Sequence, residues 1–145
     1  MLMSIRVGCF VVAGVVLSAL ACSETFESKY ETGAEALKAD VGHGWMPAFL
    51  PNTATEITEI HDLDSNDYWG AFNLAPPESL STFCKDASKV SDVLIWNPGV
   101  SWWPKHLKGN VRPSRDWTLY RCAGSNATLI APADGRTRYF WAGKG

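Results

Sequence analysis

Apolar and polar positions alternate most clearly in two neighbouring segments of the chain, Ile57–Leu63 and Tyr68–Leu74. In the second segment every other position carries a large apolar residue or glycine, which is typical of a strand that covers a core with one face. The first segment is more mixed, but Glu59 and His61 still fall together on one of its faces. The four residues between the segments, DSND, favour a turn because Asp and Asn side chains bond their own backbone. The pattern therefore predicts a hairpin.

A helical spacing of apolar residues follows in the segment APPESLSTFCKDASKV. The apolar positions recur at intervals of three and four residues and are Leu80, Phe83, Cys84, Ala87 and Val90. Proline is tolerated in the first turn of a helix, and such an apolar stripe is typical of a helix that lies on a sheet. We therefore predict one amphipathic helix in this segment.

Three further strands are predicted near the carboxyl terminus, in DWTLYRCA, ATLIAPA and TRYFWAG. The separators at 124–126 and 134–136 consist of hairpin-turn residues. Short turns favour antiparallel pairing. The predicted fold class is therefore α+β, a small antiparallel sheet of about five strands with one amphipathic helix packed on one face.

The amino terminus has the pattern of a secretory signal peptide. Arg6 is followed by fifteen residues without charge, Val7 to Ala21, a run shorter than the roughly 20 apolar residues of a membrane span. The sequence SALAC, which ends at Cys22, resembles a bacterial lipobox, in which the cysteine becomes the acylated first residue of the mature protein. The alternative is an ordinary cleavage site after Ala21, which would leave Cys22 unmodified.

These features divide the chain into three predicted parts. A signal peptide covers residues 1–21, a lipidated Cys22 with a polar tether covers 22–42, and a single globular domain covers 43–145. In bacterial lipoproteins that resemble this chain, an Asp directly after the cysteine retains the protein in the inner membrane, and this chain has Ser23 there. The expected location is therefore the cell envelope, on the periplasmic face of the outer membrane.

Charge and aromatic content narrow the classes of function. Removing Arg6 with the signal peptide leaves 12 basic against 15 acidic residues, a formal charge of −3. A nucleic-acid partner is not expected, because such proteins carry a basic patch or stripe. The chain has seven Trp, four Tyr and six Phe, so a small core can bury a large area per residue. No cofactor is expected.

Two cysteines remain in the predicted domain, Cys84 and Cys122. An exported protein in an oxidising compartment can pair them, and the bond would then join the predicted helix to the sheet. The alternative is a pair of buried thiols that pack as small hydrophobic residues. Both interpretations are open.

The acidic residues of the predicted hairpin turn, Asp62, Asp64 and Asp67, are weak candidates for a cation site. An EF-hand loop that began at Asp62 would need glycine at its sixth position and glutamate at its twelfth, where this chain has Asp67 and Asn73. A surface hairpin of this composition needs no ion. We assign no metal, and no other motif identifies a catalytic residue.

A candidate binding loop contains Trp102, Trp103, Lys105 and His106. Aromatic and cationic residues are frequent anchors of protein interfaces. The alternative, which we favour, is that the two tryptophans fold back and cap the core, as large aromatic residues do in small domains.

The segment GWMPAFLPNTATEITEIHDLDSNDYWGAFNL resembles the opening of a group of small bacterial lipoproteins with YbbD head-like domains. The shared features are a W-x-P-x-x-L-P-x-S/T-A-x-x-I stretch, an acidic turn and an aromatic strand. The later WWPKHLKG, LYRC and RTRYFWAG extend the likeness over about Trp45 to Trp141, and Asp134 matches an acidic residue before the last strand. The resemblance implies a membrane-anchored α+β domain and supplies no catalytic residues.

We expect a non-enzymatic envelope lipoprotein that holds a small binding domain at the membrane, with a protein as its partner. The second candidate is an inhibitor or immunity-type lipoprotein that uses the loop Val100–Gly109. The third is a cell-wall-directed hydrolase that uses carboxylates around Asp62–Asp67. This third function would require two of those carboxyl groups to face each other in a cleft, with one pKa raised.

Overall fold

The structure is a computed structural model that describes residues 4–5, 24–75, 78–133 and 135–144. The predicted lipidation site Cys22, most of the predicted signal peptide and Asp134 lie outside the described residues. Within the described ranges, no helix is both long enough and apolar enough to cross a membrane.

The chain forms one large antiparallel sheet and a separate pair of strands. The strands are β1 Ser4–Ile5, β2 Thr25–Thr32, β3 Thr55–Asp62, β4 Asp67–Asn73, β5 Ser88–Lys89, β6 Val93–Ile95, β7 Gly109–Val111, β8 Trp117–Arg121, β9 Thr128–Pro132 and β10 Arg138–Lys144. The helices are α1 Gly33–Ala39 and α2 Leu80–Phe83. The large sheet has the order β1-β2-β3-β4-β10-β9-β8-β5. Its edge strand β1 has only two residues, and the other seven strands lie between Thr25 and Lys144. Strands β6 and β7 form the separate pair.

The predicted fold class is wrong, because the described chain is mostly β and has no amphipathic helix packed on a five-stranded sheet. Only the single turn Leu80–Phe83 of the predicted helix is helical, and Ser88–Lys89 is an edge strand. Between them Asp86 has a φ of 48°, a left-handed conformation that cannot continue an α-helix. The backbone then bonds to the sheet, where the amide of Val90 donates to the carbonyl of Leu119 at 3.0 Å. Tertiary pairing therefore overrides the helical spacing.

The segment predicted as a polar tether contains β2 and α1. Phe26 and Tyr30 alternate with charged residues along β2, which pairs with β3 over most of its length. At the start of α1 the hydroxyl of Thr32 accepts a hydrogen bond from the amide of Glu35 at 3.2 Å, a typical N-cap. Ala36 of this helix is fully buried. Both elements are therefore parts of the folded unit.

Side chains alternate between the two sides of the large sheet and form two separate cores. The first face includes Ile57, Tyr68, Phe72, Leu129, Tyr139 and Trp141. The second face includes Ile60, Trp69, Leu119, Ile130, Phe140 and Ala142. Register partners lie in the same core, as Phe72 and Tyr139 do across β4 and β10. Because both sides of β4 are buried, the alternation predicted for Tyr68–Leu74 separates two buried faces and not a buried face from an exposed one.

Different segments cover the two faces. The first face is covered by α1, by α2 and by the loop that follows α1, which contributes Trp45, Met46, Phe49 and Leu50. At this face a disulfide joins Cys84 to Cys122. The sequence was compatible both with this bond and with two buried thiols. The second face is covered by the segment 93–111, which contributes Ile95, Trp103, Leu107 and Val111.

Candidate functional site

Glu59 and His61 form a buried pair of ionisable side chains on β3. They are 1% and 5% exposed, and Oε1 of Glu59 lies 2.8 Å from Nδ1 of His61. Burial raises the pKa of Glu59 to about 6, and the hydrogen bond with His61 partly opposes this shift. A buried carboxylate is costly unless it is paired. The imidazole therefore makes the ionised carboxylate tolerable at this position.

The strand register surrounds this pair with rings and with one glycine. His61 is the register partner of Phe26 on β2. Glu59 is the register partner of Gly70 on β4. A Cβ atom at position 70 would collide with the indole of Trp141, so glycine lets that ring approach the β4 backbone closely. The Nε1 of Trp141 is buried without a hydrogen-bond partner among the described residues.

Four rings form a stack that leads from the loop after α1 to the sheet. Trp45 stacks on His61 with ring centroids 3.5 Å apart. His43 stacks on Trp45 at 4.7 Å, and Phe26 stacks on His61 at 5.5 Å. The imidazole of His61 is therefore held by ring contacts as well as by its hydrogen bond to Glu59.

Asp40 holds the loop that carries Trp45. It is the C-cap residue of α1. Its two carboxylate oxygens accept hydrogen bonds from the amides of Trp45 and Met46 at 3.1 and 2.9 Å. Hydrogen bonds from backbone amides to a carboxylate are among the stronger ones in proteins, so Asp40 fixes the position of the Trp45 ring over β3.

These elements surround an open cavity of about 350 Å³, which we call the aromatic cavity. Its lining includes Phe26, Tyr30, Asp40, Trp45, Glu59 and His61. No Lys or Arg is among the described residues that line it. Apolar and aromatic walls with a few polar groups are typical of ligand sites, and the aromatic cavity is therefore the candidate functional site.

Two polar atoms of the buried pair are left without a partner. Oε1 of Glu59 and Nδ1 of His61 bond each other. No residue in the described part of the chain bonds Oε2 of Glu59 or Nε2 of His61. Both residues line the aromatic cavity. These two atoms therefore have hydrogen-bonding capacity that no described residue uses.

The carboxylates that were weak candidates for a cation site belong to the hairpin between β3 and β4. Oδ1 of Asp62 accepts hydrogen bonds from the amides of Asp64 and Ser65 at 2.9 and 3.2 Å, which is typical of an Asp-initiated turn. Asp67 is 8% exposed and lies 3.9 Å from Nζ of Lys144. Among the described residues, no group of three or more His, Cys, Asp or Glu side chains could hold a metal ion.

The candidate binding loop is held against the second face of the sheet. Trp103 is buried, and its Nε1 donates to the carbonyl of Leu107 at 2.7 Å. Trp102 lies edge-on to it at 6.0 Å, and the Nε1 of Trp102 is buried without a partner among the described residues. Lys105 and His106 are exposed. Trp103 is therefore buried in the second core with Trp102 packed against it, and Lys105 and His106 are the exposed members of the set, with Nε2 of His106 accepting a hydrogen bond from Nε1 of Trp117 at 2.7 Å.

A larger open depression of about 640 Å³ lies on the other side of Tyr30 and includes Glu56, Asn73 and Arg138. Its polar groups bond one another, since Arg138 donates to the carbonyl of Glu56 at 2.9 Å and to the side chain of Asn73 at 3.2 Å. The amide of Asn73 donates to the carboxylate of Glu56. Because these groups already have partners, the aromatic cavity is the stronger candidate for a binding site.

Glu59, His43 and Trp45 are site residues that the sequence pattern does not identify. The spacing of Glu59 and His61 indicates only that they share a face of β3, because side chains two apart on a strand point the same way. His61 considered in the sequence alone is an isolated histidine beside acidic residues. The contact between Trp45 and His61 depends on the path of the loop after α1.

A family model described as the YbbD head domain matches residues 24–73. No curated protein and no solved structure matches the chain significantly. The matched segment runs from β2 to β4 and contains α1, the loop with Trp45 and the Glu59–His61 pair. Residues 24–73 are therefore similar to the YbbD head domain, and the predicted YbbD head-like resemblance is confirmed for the part of its span that the match covers, Trp45 to Asn73.

Proposed function

We propose that the chain is an envelope lipoprotein, anchored by acyl chains on Cys22, whose domain binds a protein partner through the aromatic cavity. The observation that carries the proposal is the open cavity with unpartnered polar atoms of Glu59 and His61 in its wall. Burying ionisable side chains carries a desolvation cost that their mutual hydrogen bond has to offset. A role in binding therefore explains the pair better than a role in stability.

The surface beside the cavity has the composition of a protein interface. Leu63 lines the cavity and is 43% exposed, and Val41 in the adjoining loop is 77% exposed. Interfaces combine apolar and aromatic side chains at the centre with a polar rim. A partner could insert one side chain into the cavity and cover these exposed residues with its surrounding surface.

The cavity is close to the proposed anchor along the chain. Phe26 lines the cavity and follows Cys22 by four positions, which corresponds to at most about 14 Å of extended chain. A domain tied so closely to its lipid keeps this cavity near the membrane surface. The partner is therefore expected to be a membrane protein or another protein of the membrane surface.

The two other candidate functions have less support. An inhibitor that uses the loop Val100–Gly109 would need exposed anchor residues, but Trp103 and Leu107 of that loop are buried. A hydrolase that uses Asp62–Asp67 would need carboxyl groups that face one another in a cleft, and Asp62 instead bonds the turn backbone.

The anchor is tested by the variant Cys22→Ser in cells supplied with radiolabelled palmitate. We expect the wild-type chain to carry the label and to sediment with membranes. The variant should lose the label and appear in the soluble fraction. If the variant still sediments with membranes in buffer containing high salt, the proposed lipid anchor is wrong.

The partner site is tested with a photoreactive benzoylphenylalanine placed in the full-length protein in cells. Position 63 lies beside the aromatic cavity, and position 115, whose side chain is 95% exposed, is the control. We expect a discrete protein adduct from position 63 that is absent from position 115 and is weakened by Trp45→Ala. Equal adducts from both positions, or none from position 63, would contradict the proposed site.

A further inference from the structure

The described lining of the aromatic cavity contains two carboxylates, Asp40 and Glu59, and two imidazoles, His43 and His61, but no Lys or Arg. Glu27 on β2 lies near enough to disfavour the ionised form of Glu59. Lys29 is 3.5 Å from Glu27, but its side chain is 69% exposed. The cavity therefore has a negative potential, which favours a cationic group and disfavours a carboxylate or phosphate.

The two unpartnered atoms of the buried pair both accept hydrogen bonds. A carboxylate oxygen such as Oε2 of Glu59 can only accept. When Nδ1–H of His61 donates to Glu59, the neutral imidazole has a lone pair at Nε2. The cavity therefore presents two acceptors that no described residue satisfies. A bound group with several N–H donors would satisfy both.

We propose that the aromatic cavity binds an alkylammonium group, the side chain of a lysine on the protein partner. This inference rests on the proposed function and names the group that enters the site. An ammonium has three donors and a positive charge, which match the acceptors of Glu59 and His61. The methylene groups of a lysine pack well against apolar surface while the charged end bonds elsewhere, and Phe26 and Tyr30 supply that surface.

The inference is tested with n-butylammonium chloride as a probe of the full-length lipoprotein in a non-ionic detergent. Binding is followed by the NMR shifts of the His61 imidazole and of the Trp45 indole. We expect saturable shifts with butylammonium at pH 7.5. Sodium butyrate and 1-butanol at the same concentrations should produce less than a tenth of the occupancy. Equal responses to 1-butanol and butylammonium would overturn the proposal, because the positive charge would then have no role.

Two matched variants test the assignment to Glu59. Glu59→Gln keeps the size of the side chain and removes its charge, and we expect at least a tenfold loss of butylammonium affinity. Glu31→Gln removes a charge from the exposed part of β2 outside the cavity and should leave the affinity unchanged. If Glu59→Gln binds as tightly as the wild type, the proposal is wrong. If this variant does not fold, the three probes on the wild-type protein decide the question.

The failure of this inference differs from the failure of the proposed function. A specific adduct at position 63 without butylammonium binding would support a protein partner at the cavity and contradict the proposal that a lysine of this partner enters it. Butylammonium binding without an adduct at position 63 would support the ammonium site and contradict the protein partner.

Discussion

The two faces of the large sheet are both rich in aromatic side chains, but they differ in the polar groups that they bury. On the second face, Trp103 meets Phe140 edge to face at 5.5 Å and donates a hydrogen bond to the carbonyl of Leu107. On the first face, Glu59 and His61 are buried beside an open cavity and keep two acceptors without partners among the described residues. Among the described residues the second face buries no such pair, and the first face combines a core with this pair and its cavity.

Neither aromatic content nor a buried indole N–H without a partner identifies the site. Both faces contain several Trp and Phe residues, and each has one buried indole N–H without a described partner, Trp102 on the second face and Trp141 on the first. The distinguishing feature is an ionisable pair whose two side chains are both buried beside an open cavity, since in the Asp67–Lys144 pair at the second face Lys144 is 69% exposed. Such pairs are candidates for function because their burial costs stability.

The largest expected effect on the free energy of unfolding comes from removing a buried side chain from the core of the second face. Trp103→Ala should lower the free energy of unfolding by about 3–5 kcal/mol, because it removes a large buried side chain and leaves a cavity. Trp96→Ala is the matched control, since Trp96 is 60% exposed, and it should cost about 0.5 kcal/mol or less. Urea unfolding measures both. Equal losses in the two variants would show that Trp103 is not a core residue.

The disulfide provides the next largest effect, on the first face. The double variant Cys84→Ala with Cys122→Ala opens a loop with a sequence separation of 38 residues. We expect a loss of about 2–4 kcal/mol, because the unfolded chain gains conformational entropy. Urea unfolding with and without reductant measures the effect. Reductant should destabilise the wild-type protein and leave the double variant unchanged, whereas an unaffected wild-type protein would contradict the bond.

The pH dependence of stability tests the buried pair. Folding raises the pKa of Glu59 from 4.5 to about 6, chiefly through burial, which the hydrogen bond with His61 partly opposes and the nearby carboxylates of Asp40 and Glu27 reinforce. The folded protein then binds more protons than the unfolded chain between these values, so this contribution to stability is complete below pH 4.5 and is lost as the pH rises through 6. The loss corresponds to about 2 kcal/mol. It is measured by urea unfolding from pH 4 to 7.

The variants used for ligand binding also test the source of this pH dependence. Glu59→Gln should flatten the decrease in the free energy of unfolding between pH 4.5 and 6, since its amide does not titrate. Glu31→Gln, which changes an exposed residue of β2, should keep the decrease. An unchanged slope in Glu59→Gln would assign the pH dependence to another group.

The smallest expected effect lies in the hairpin turn, outside both faces. Asp62→Ala removes two hydrogen bonds to the turn amides of Asp64 and Ser65 and should cost about 1 kcal/mol. Calcium chloride should leave the melting temperature of the wild-type protein and of this variant unchanged. If calcium raises the melting temperature of the wild-type protein but not that of the variant, a cation site at this turn is supported.

Part of the fold could be predicted because it depends on residues that are close in the chain. The hairpin between β3 and β4 is an example, since Asp62 bonds the turn amides and Asn66 adopts a φ of 57°, a conformation that Asn tolerates. The helix predicted across Leu80 to Val90 failed for the opposite reason. Its apolar spacing is helical, but the segment after Asp86 bonds to β8, a strand about 30 residues away in sequence.

The hairpin and the shared face of Glu59 and His61 could be predicted from the residues alone, because both follow from local geometry. The burial of this pair beside a cavity could not, because it depends on contacts between distant segments. Its burial requires Phe26 from one neighbouring strand and Trp45 from a loop held by Asp40. The removal of water around a side chain, and therefore its pKa and its binding partners, depends on segments that the chain brings together from a distance.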